Sequence, residues 1–403
     1  MRAAFLAIIL MVLFQACQEQ EGALYTPEFK EDVDQLNLIR NERNIETFLR
    51  RLDSSFNKLD PPRPLDWYEY YNFRAWYNRS QNNQNNAIRY TDSMLLVITP
   101  YTGTESYYVH ALTQKGFLLQ EINLFNEALT EFYKANTYAE QYLTKCDAGE
   151  VIYNLGLLLY QQEKYRECLR FYRQARSYAA GCDTLDFAKF YYPIQGAFNA
   201  EGLCYEKMGM LDSAKLMYLE GIEFLERYGP YYTDENFKNV AHSVIEGNLG
   251  YVEFLLGNIQ EAETLLKNSI RSSLETAYDL HDAIYSQMKL GRLLINGKRF
   301  DEFRELMALI QDELNEAPFN SGYYRYYSLL SEYQAATNDS AAALRSQTIA
   351  LKYQDSIRAV MTDLSSLNVQ TTMSYMQQQE DLLTLKKDNE RKLIFLIITF
   401  VIL

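Results

Sequence analysis

The sequence predicts an all-α chain: a right-handed α-solenoid of helix-turn-helix units, then a long helix, then the start of a transmembrane helix. Three observations predict it. A six-position pattern recurs five times between Val109 and Ile310. Hydrophobic residues make up 48% and aromatics 14%, enough to give stacked units a continuous core. An apolar run also stands at each end of the chain, outside the repeats.

The pattern starts at a Gly in one apolar helix and continues at offsets of three, nine, twelve, sixteen and nineteen. Its copies are Gly116, Leu119, Phe125, Ala128, Phe132, Ala135; then Gly156, Leu159, Tyr165, Cys168, Tyr172, Ala175; then Gly202, Tyr205, Leu211, Ala214, Tyr218, Gly221. The fourth is Gly250, Glu253, Ile259, Ala262, Leu266, Ser269, and a looser fifth is Gly291, Leu294, Phe300, Phe303, Met307, Ile310. Residues three apart share one helix face. The residue at offset nine falls near the turn, and the small one at offset twelve opens a second helix where a larger side chain has no room. No single unit can bury its apolar face, so units must stack. Two outer copies are degenerate: Ala75 to Met94 with Ala87 at the small position, and Ser331 to Ala350 with Ala343.

This pattern resembles the tetratricopeptide repeat. The resemblance implies a groove lined by the first helices that takes a protein or peptide partner. Gly-to-Gly spacings of 40 to 48 exceed the usual period of about 34, so longer helices or extended links must absorb the difference. The groove positions carry Thr113, Phe117, Tyr153, Leu157, Asn199, Leu203 and Tyr251, with Gly247 among them. That lining is mostly apolar and aromatic. It lacks the Lys, Asn and Arg set with which some family members grip an acidic peptide C-terminus, so a hydrophobic peptide, a neighbouring helix or self-packing is expected. The 34 Tyr also cluster in expected links, as at Tyr323, Tyr324, Tyr326 and Tyr327.

A net charge of −14 argues against a nucleic-acid partner, since phosphate binding needs a basic face. Residues 1–17 read as an export signal, with Arg2, an apolar run to Phe14, and Ala16-Cys17 before a polar stretch. This resembles a bacterial lipoprotein signal and makes Cys17 the lipidation candidate, although Phe14 stands where Leu is usual. Residues 18–108 form a helical region with one degenerate unit, 109–320 the five repeats, and 321–355 the last degenerate unit. Residues 356–392 contain no Pro or Gly, and Ile357, Val360, Leu364, Leu367, Leu382 and Leu385 keep helical spacing. They read as a juxtamembrane helix whose spacing permits a coiled coil and a homodimer, interrupted at Gln377 to Gln379. Residues 393–403 are wholly apolar but for Thr399 and read as the start of a membrane span, with the natural chain expected to continue beyond it. Lys386, Lys387, Arg391 and Lys392 flank that span on the exported side, against the positive-inside bias.

This order of segments resembles the periplasmic input half of tetratricopeptide-type sensor histidine kinases. The resemblance places the repeat array in the cell envelope and the catalytic part beyond Leu403. The same layout precedes helix-turn-helix regulators, and an envelope-anchored scaffold lipoprotein is the alternative; all three stay open. Within the chain no catalytic motif, cofactor loop or metal-ligand set is found. His110, His242 and His281 have no ligand-like neighbours on their own helix faces. The near match to a phosphate loop at Gly291 to Lys298 has one residue too many and Arg299 where Ser or Thr belongs, so its glycines read as packing and turn residues. Cys146, Cys168, Cys182 and Cys204 are expected to remain thiols, with Cys168 buried as a small hydrophobe. Three pairings are open to them.

Overall fold

Helix pairs follow one another along the whole described chain. The computed structural model describes residues 24–38, 45–98, 102–122, 124–232, 235–276 and 280–361. Among these, sixteen α-helices and no strands occur. They are α1 (Pro27–Leu38), α2 (Ile45–Phe56), α3 (Pro64–Ser80), α4 (Gln84–Ile98), α5 (Glu105–Glu121), α6 (Phe125–Tyr142), α7 (Lys145–Gln161) and α8 (Tyr165–Ala179). Then follow α9 (Tyr192–Lys207), α10 (Leu211–Tyr228), α11 (Glu235–Leu256), α12 (Ile259–Thr276), α13 (Leu280–Asn296), α14 (Phe300–Glu316), α15 (Asn320–Ala336) and α16 (Ser340–Met361). They form two compact units, α1–α6 and α7–α16. The signal segment with Cys17 and residues 362–403, which hold the expected span and most of the juxtamembrane helix, lie outside the described residues. Among the described residues no helix is long and apolar enough to cross a membrane.

The repeat frame is obeyed helix by helix. Each second helix begins at offset nine: Phe125, Tyr165, Leu211, Ile259 and Phe300 open α6, α8, α10, α12 and α14. The degenerate copies keep that frame, because Gln84 and Ser340 open α4 and α16. At offset seven the chain turns through the left-handed region, at Asn82, Glu163, Gly209, Gly257, Lys298 and Asn338, with φ between 55° and 90°. One such residue reverses the chain in a few residues, and Gly or Asn takes that conformation at least cost. Offsets twelve, sixteen and nineteen are buried throughout the clear copies, with Ala128, Cys168, Ala214 and Ala262 fully enclosed. In the first three copies the Gly is needed because the ring at offset sixteen lies on its backbone. A Cβ on Gly156 would stand 2.6 Å from Tyr172 Cε1, and one on Gly116 2.8 Å from Phe132 Cε2.

In the α7–α16 unit each helix packs on the next in sequence, and each first helix also touches the next first helix. Extended links, not longer helices alone, absorb the extra spacing after α8 and α10. A π-helical turn at Phe187–Tyr191 and a 3-10 turn at Gly229–Tyr231 dock on each other. Tyr191 meets Tyr232 at 4.1 Å between centroids, Phe187 meets Tyr232 at 5.6 Å, and Tyr232 Oη donates to Thr184 O at 2.6 Å. The docking brings Cys182, just past α8, to Cys146 at the start of α7, and the two form a disulfide with Cα atoms 5.4 Å apart. This corrects the expectation of four free thiols; only Cys168 and Cys204 are free among the described cysteines. A second correction concerns Tyr323, Tyr324, Tyr326 and Tyr327, which lie inside α15 rather than in a link. Tyr323 and Tyr327 stack on Tyr353 of α16, at 5.1 and 6.1 Å.

Among the described residues three carboxylates are fully buried, each with partners, as buried charge requires. In the α1–α6 unit Asp66, fully enclosed, accepts from Thr26 N at 2.9 Å, Thr26 Oγ1 at 2.7 Å and Arg63 N at 2.7 Å, which caps α3 and ties it to the start of α1. Glu253 fills offset three, where other copies have Leu or Tyr. It pairs with Lys215 of α10 at 2.6 Å and accepts from Asn258 Nδ2 at 2.6 Å. Glu201 on α9 lies against Arg176 at 3.2 Å and Arg173 at 3.6 Å of α8.

Burial pushes the Glu201 carboxyl up from 4.5 to about 6, against the pull of Arg176 and Arg173. A raised carboxyl binds its proton more tightly folded than unfolded. Stability from this group is therefore greatest below pH 4.5 and falls as pH rises to about 6, by about 2 kcal/mol at most. Glu201→Gln is expected to gain stability relative to the parent between pH 5 and pH 7 in urea melts. A relative loss over that range would show that the arginines outweigh the burial.

Candidate functional site

The first helices of the α7–α16 unit carry two rows of side chains on one face. At the position after the repeat Gly the row reads Leu157, Leu203, Tyr251, Arg292 and, in the degenerate last copy, Glu332. These are joined where they are polar: Arg292 Nη1 donates to Tyr251 Oη at 3.0 Å, and its Nε and Nη2 donate to Glu332 at 3.2 and 2.9 Å. Two or three residues before the Gly a second chain of contacts crosses α9, α11 and α13. Asn248 Nδ2 donates to Asn199 Oδ1 at 2.7 Å, and Lys289 Nζ donates to Asn248 Oδ1 and, at 3.4 Å, to Gly247 O.

Charges on several of these helices act on one another across this face. Arg325 on α15 acts on Tyr160 of α7, and Lys289 on α13 feels Glu206 and Lys207 of α9. Burial pushes the Lys289 ammonium down to about 8, aided by the Arg325 and Lys207 charges and opposed by Glu206. Neither Lys289 nor Arg325 pairs with a carboxylate among the described residues; Arg325 lies over the Tyr285 ring at 4.8 Å and Lys289 over Tyr251 at 5.9 Å. Two cations on one face, flanked by amides and tyrosines, can take a chain of backbone amides and an acidic group.

Of the residues expected to line a groove, Leu157, Asn199, Leu203 and Tyr251 are half-buried on this face. Tyr153 is not available. Its ring is enclosed between Tyr172 and Tyr192, at 5.7 and 5.6 Å, because Gly196 leaves a slot that a Cβ would close to 2.6 Å from the hydroxyl. Gly247 also packs, over Ser269 and Ser286, which hydrogen-bond each other at 2.9 Å. Thr113 and Phe117 belong to the α1–α6 unit. There Thr113 Oγ1 donates to Val109 O at 2.9 Å and Phe117 meets Phe132 edge-on at 5.0 Å.

The sequence reading of an uncharged lining missed Asn248, Lys289, Arg292 and Arg325. Lys289 and Arg292, the two charged residues of the stretch 283–294, were the available signal. It also missed that His242 has a carboxylate at helical spacing: its Nδ1 lies 3.5 Å from Glu246 Oε2, a contact that raises the imidazole's proton affinity against the effect of burial. His110 Nδ1 lies 2.6 Å from Tyr68 Oη. Among the described residues no three His, Cys, Asp or Glu side chains come together as a metal site.

No protein-family model matches the chain, and no curated protein sequence does. Solved structures do match. The apo quorum sensor NprR from B. thuringiensis is 14% identical with a TM-score of 0.59, over 87% of this chain and 95% of that one. A Rap protein complexed with Competence and Sporulation Factor is 11% identical with a TM-score of 0.53, over 90% and 99%. The signal-transduction ATPase PH0952 from Pyrococcus horikoshii, which has a tetratricopeptide repeat sensor, is 13% identical with a TM-score of 0.54, over 84% and 49%. The described chain therefore has the tetratricopeptide-like helical solenoid fold.

Proposed function

We propose that this chain is the sensory, protein- or peptide-binding region of a bacterial envelope signalling protein of the membrane-bound histidine-kinase type. The observation that carries the binding role is the shared face of α9, α11, α13 and α15, where Asn199, Asn248 and Lys289 form one polar chain beside Tyr251, Arg292 and Arg325. Fold neighbours that are a quorum sensor, a factor-bound Rap protein and a tetratricopeptide sensor support such a role. In this reading residues 1–17 direct export with Cys17 lipidated, and residues 393–403 begin the membrane anchor. The Cys146–Cys182 disulfide supports export, since structural disulfides persist in oxidising compartments. The ligand is a peptide or protein segment with an acidic group near Lys289 and apolar side chains toward Leu157 and Leu203.

Selection of a displayed random-peptide library on the full chain tests this. Enriched peptides are expected to carry an acidic residue or a free C-terminal carboxylate. Lys289→Met should weaken them by about tenfold or more, because a hydrogen bond to a charged group is worth about 1.5–3 kcal/mol. Lys352→Met, on the exposed side of α16, should leave them unchanged. Failure to enrich any peptide, or equal binding by both variants, would defeat the assignment.

A further inference from the structure

Cys168 and Cys204 are the two thiols left over by the disulfide, and they are fully buried together. Cys168 opens α8 at the small position of its repeat, and Cys204 sits in the last turns of α9. Their Sγ atoms lie 2.8 Å apart. Non-bonded carbons settle at about 3.5–4.0 Å, and sulfur is larger, so two unreacted thiols at this separation overlap. A disulfide needs about 2.05 Å. The two sulfurs already meet, and only a small closure separates contact from covalent bond. The Cys204 thiol is held protonated by its Cys168 neighbour and by burial. Buried thiols of that kind are poor nucleophiles once the unit has closed.

We propose that Cys168 and Cys204 form a second, buried disulfide, made while the chain is still open. The oxidant is an organic disulfide, small or protein-borne, in an oxidising compartment. One cysteine thiolate attacks a donor sulfur and expels one thiolate, leaving a mixed disulfide. The other cysteine thiolate then attacks the protein sulfur and expels the second. Two protein S–H groups are lost, one S–S bond forms, and the donor disulfide becomes two thiols. The two cross-links differ in what they tie. Cys146–Cys182 closes the α7–α8 hairpin within one repeat, whereas Cys168–Cys204 joins α8 to α9 between repeats. Because residue 168 lies inside the first loop, the loops interlock, and the α7–α9 end of the ligand-binding face is fixed.

Thiol mapping of the full chain tests the bond. The chain is reduced, unfolded, refolded with glutathione disulfide, then denatured in iodoacetamide and digested. The peptides bearing Cys168 and Cys204 should emerge joined and unalkylated. Recovery of both as alkylated monomers would overturn the proposal. In the Cys146→Ser, Cys182→Ser variant, oxidised chains should be lighter than reduced ones by two hydrogens. Joined Cys168 and Cys204 peptides from that variant would exclude scrambling from the known bond, and alkylated ones would count against the proposal. Cys168→Ala restores the residue that other repeats carry, and it should leave Cys204 alkylated after denaturation. If Cys204 is instead found joined to Cys146 or Cys182, the assigned pairing is wrong.

Discussion

Lys215→Met is expected to destabilise the α7–α16 unit by about 1–3 kcal/mol, the cost of leaving a buried acceptor without its partner. Lys215 itself is one-third exposed, which keeps the loss below that of a wholly buried pair. Glu253 is fully enclosed and Lys215 is its cationic partner at 2.6 Å. Without it the carboxylate keeps only Asn258. The cost should vanish in the double variant Lys215→Met, Glu253→Leu, which returns offset three to the Leu that three other copies carry. Replacing a buried pair by packed apolar groups is often neutral or stabilising. Urea unfolding of the four proteins of this cycle decides it. A single-variant loss under about 1 kcal/mol would mean that water reaches Glu253.

Cys146→Ser with Cys182→Ser is the second large effect. The bond closes a loop with a sequence separation of 36. The chain-entropy relation gives about 3–4 kcal/mol for a loop of that length at 25 °C. The loss should appear in urea melts of the variant as a lower midpoint for the α7–α16 unit, with the α1–α6 transition in place. An unchanged midpoint would show that the docked links around Tyr191 and Tyr232 already restrict the unfolded chain.

The helix plan was legible because packing repeats itself in the sequence. Gly at the start and a ring sixteen residues later are two halves of one contact, and even the degenerate copies at Ala75 and Ser331 keep the turn at offset seven. Glu253 broke the pattern for a reason the sequence hides. Its partner lies 38 residues earlier on another helix, and nothing local pairs Lys215 with it. Asn248 escaped notice because it stands one position beside Gly247, and Lys289 and Arg292 because groove positions were read in the first four copies alone. A helix face is wide enough for both rows. Tyr153 failed in the opposite sense, since a Gly forty-three residues later made room to bury it. The Cys146–Cys182 bond depends on how the links fold, which helical spacing does not encode. His242 and Glu246 were readable at four-residue spacing and were overlooked.

The graded row along the first helices gives the face a polarity. It passes from Leu157 and Leu203 through Tyr251 to Arg292 and Glu332, with Lys289 and Arg325 near the charged end. A peptide has a polarity of its own, with an amine at one end and a carboxylate at the other. Laid along such a row, it meets matching chemistry in one orientation and mismatched chemistry in the reverse. On the proposed role, a reversed-sequence peptide of identical composition is therefore expected not to bind, because the face would read the order of residues as well as their kind.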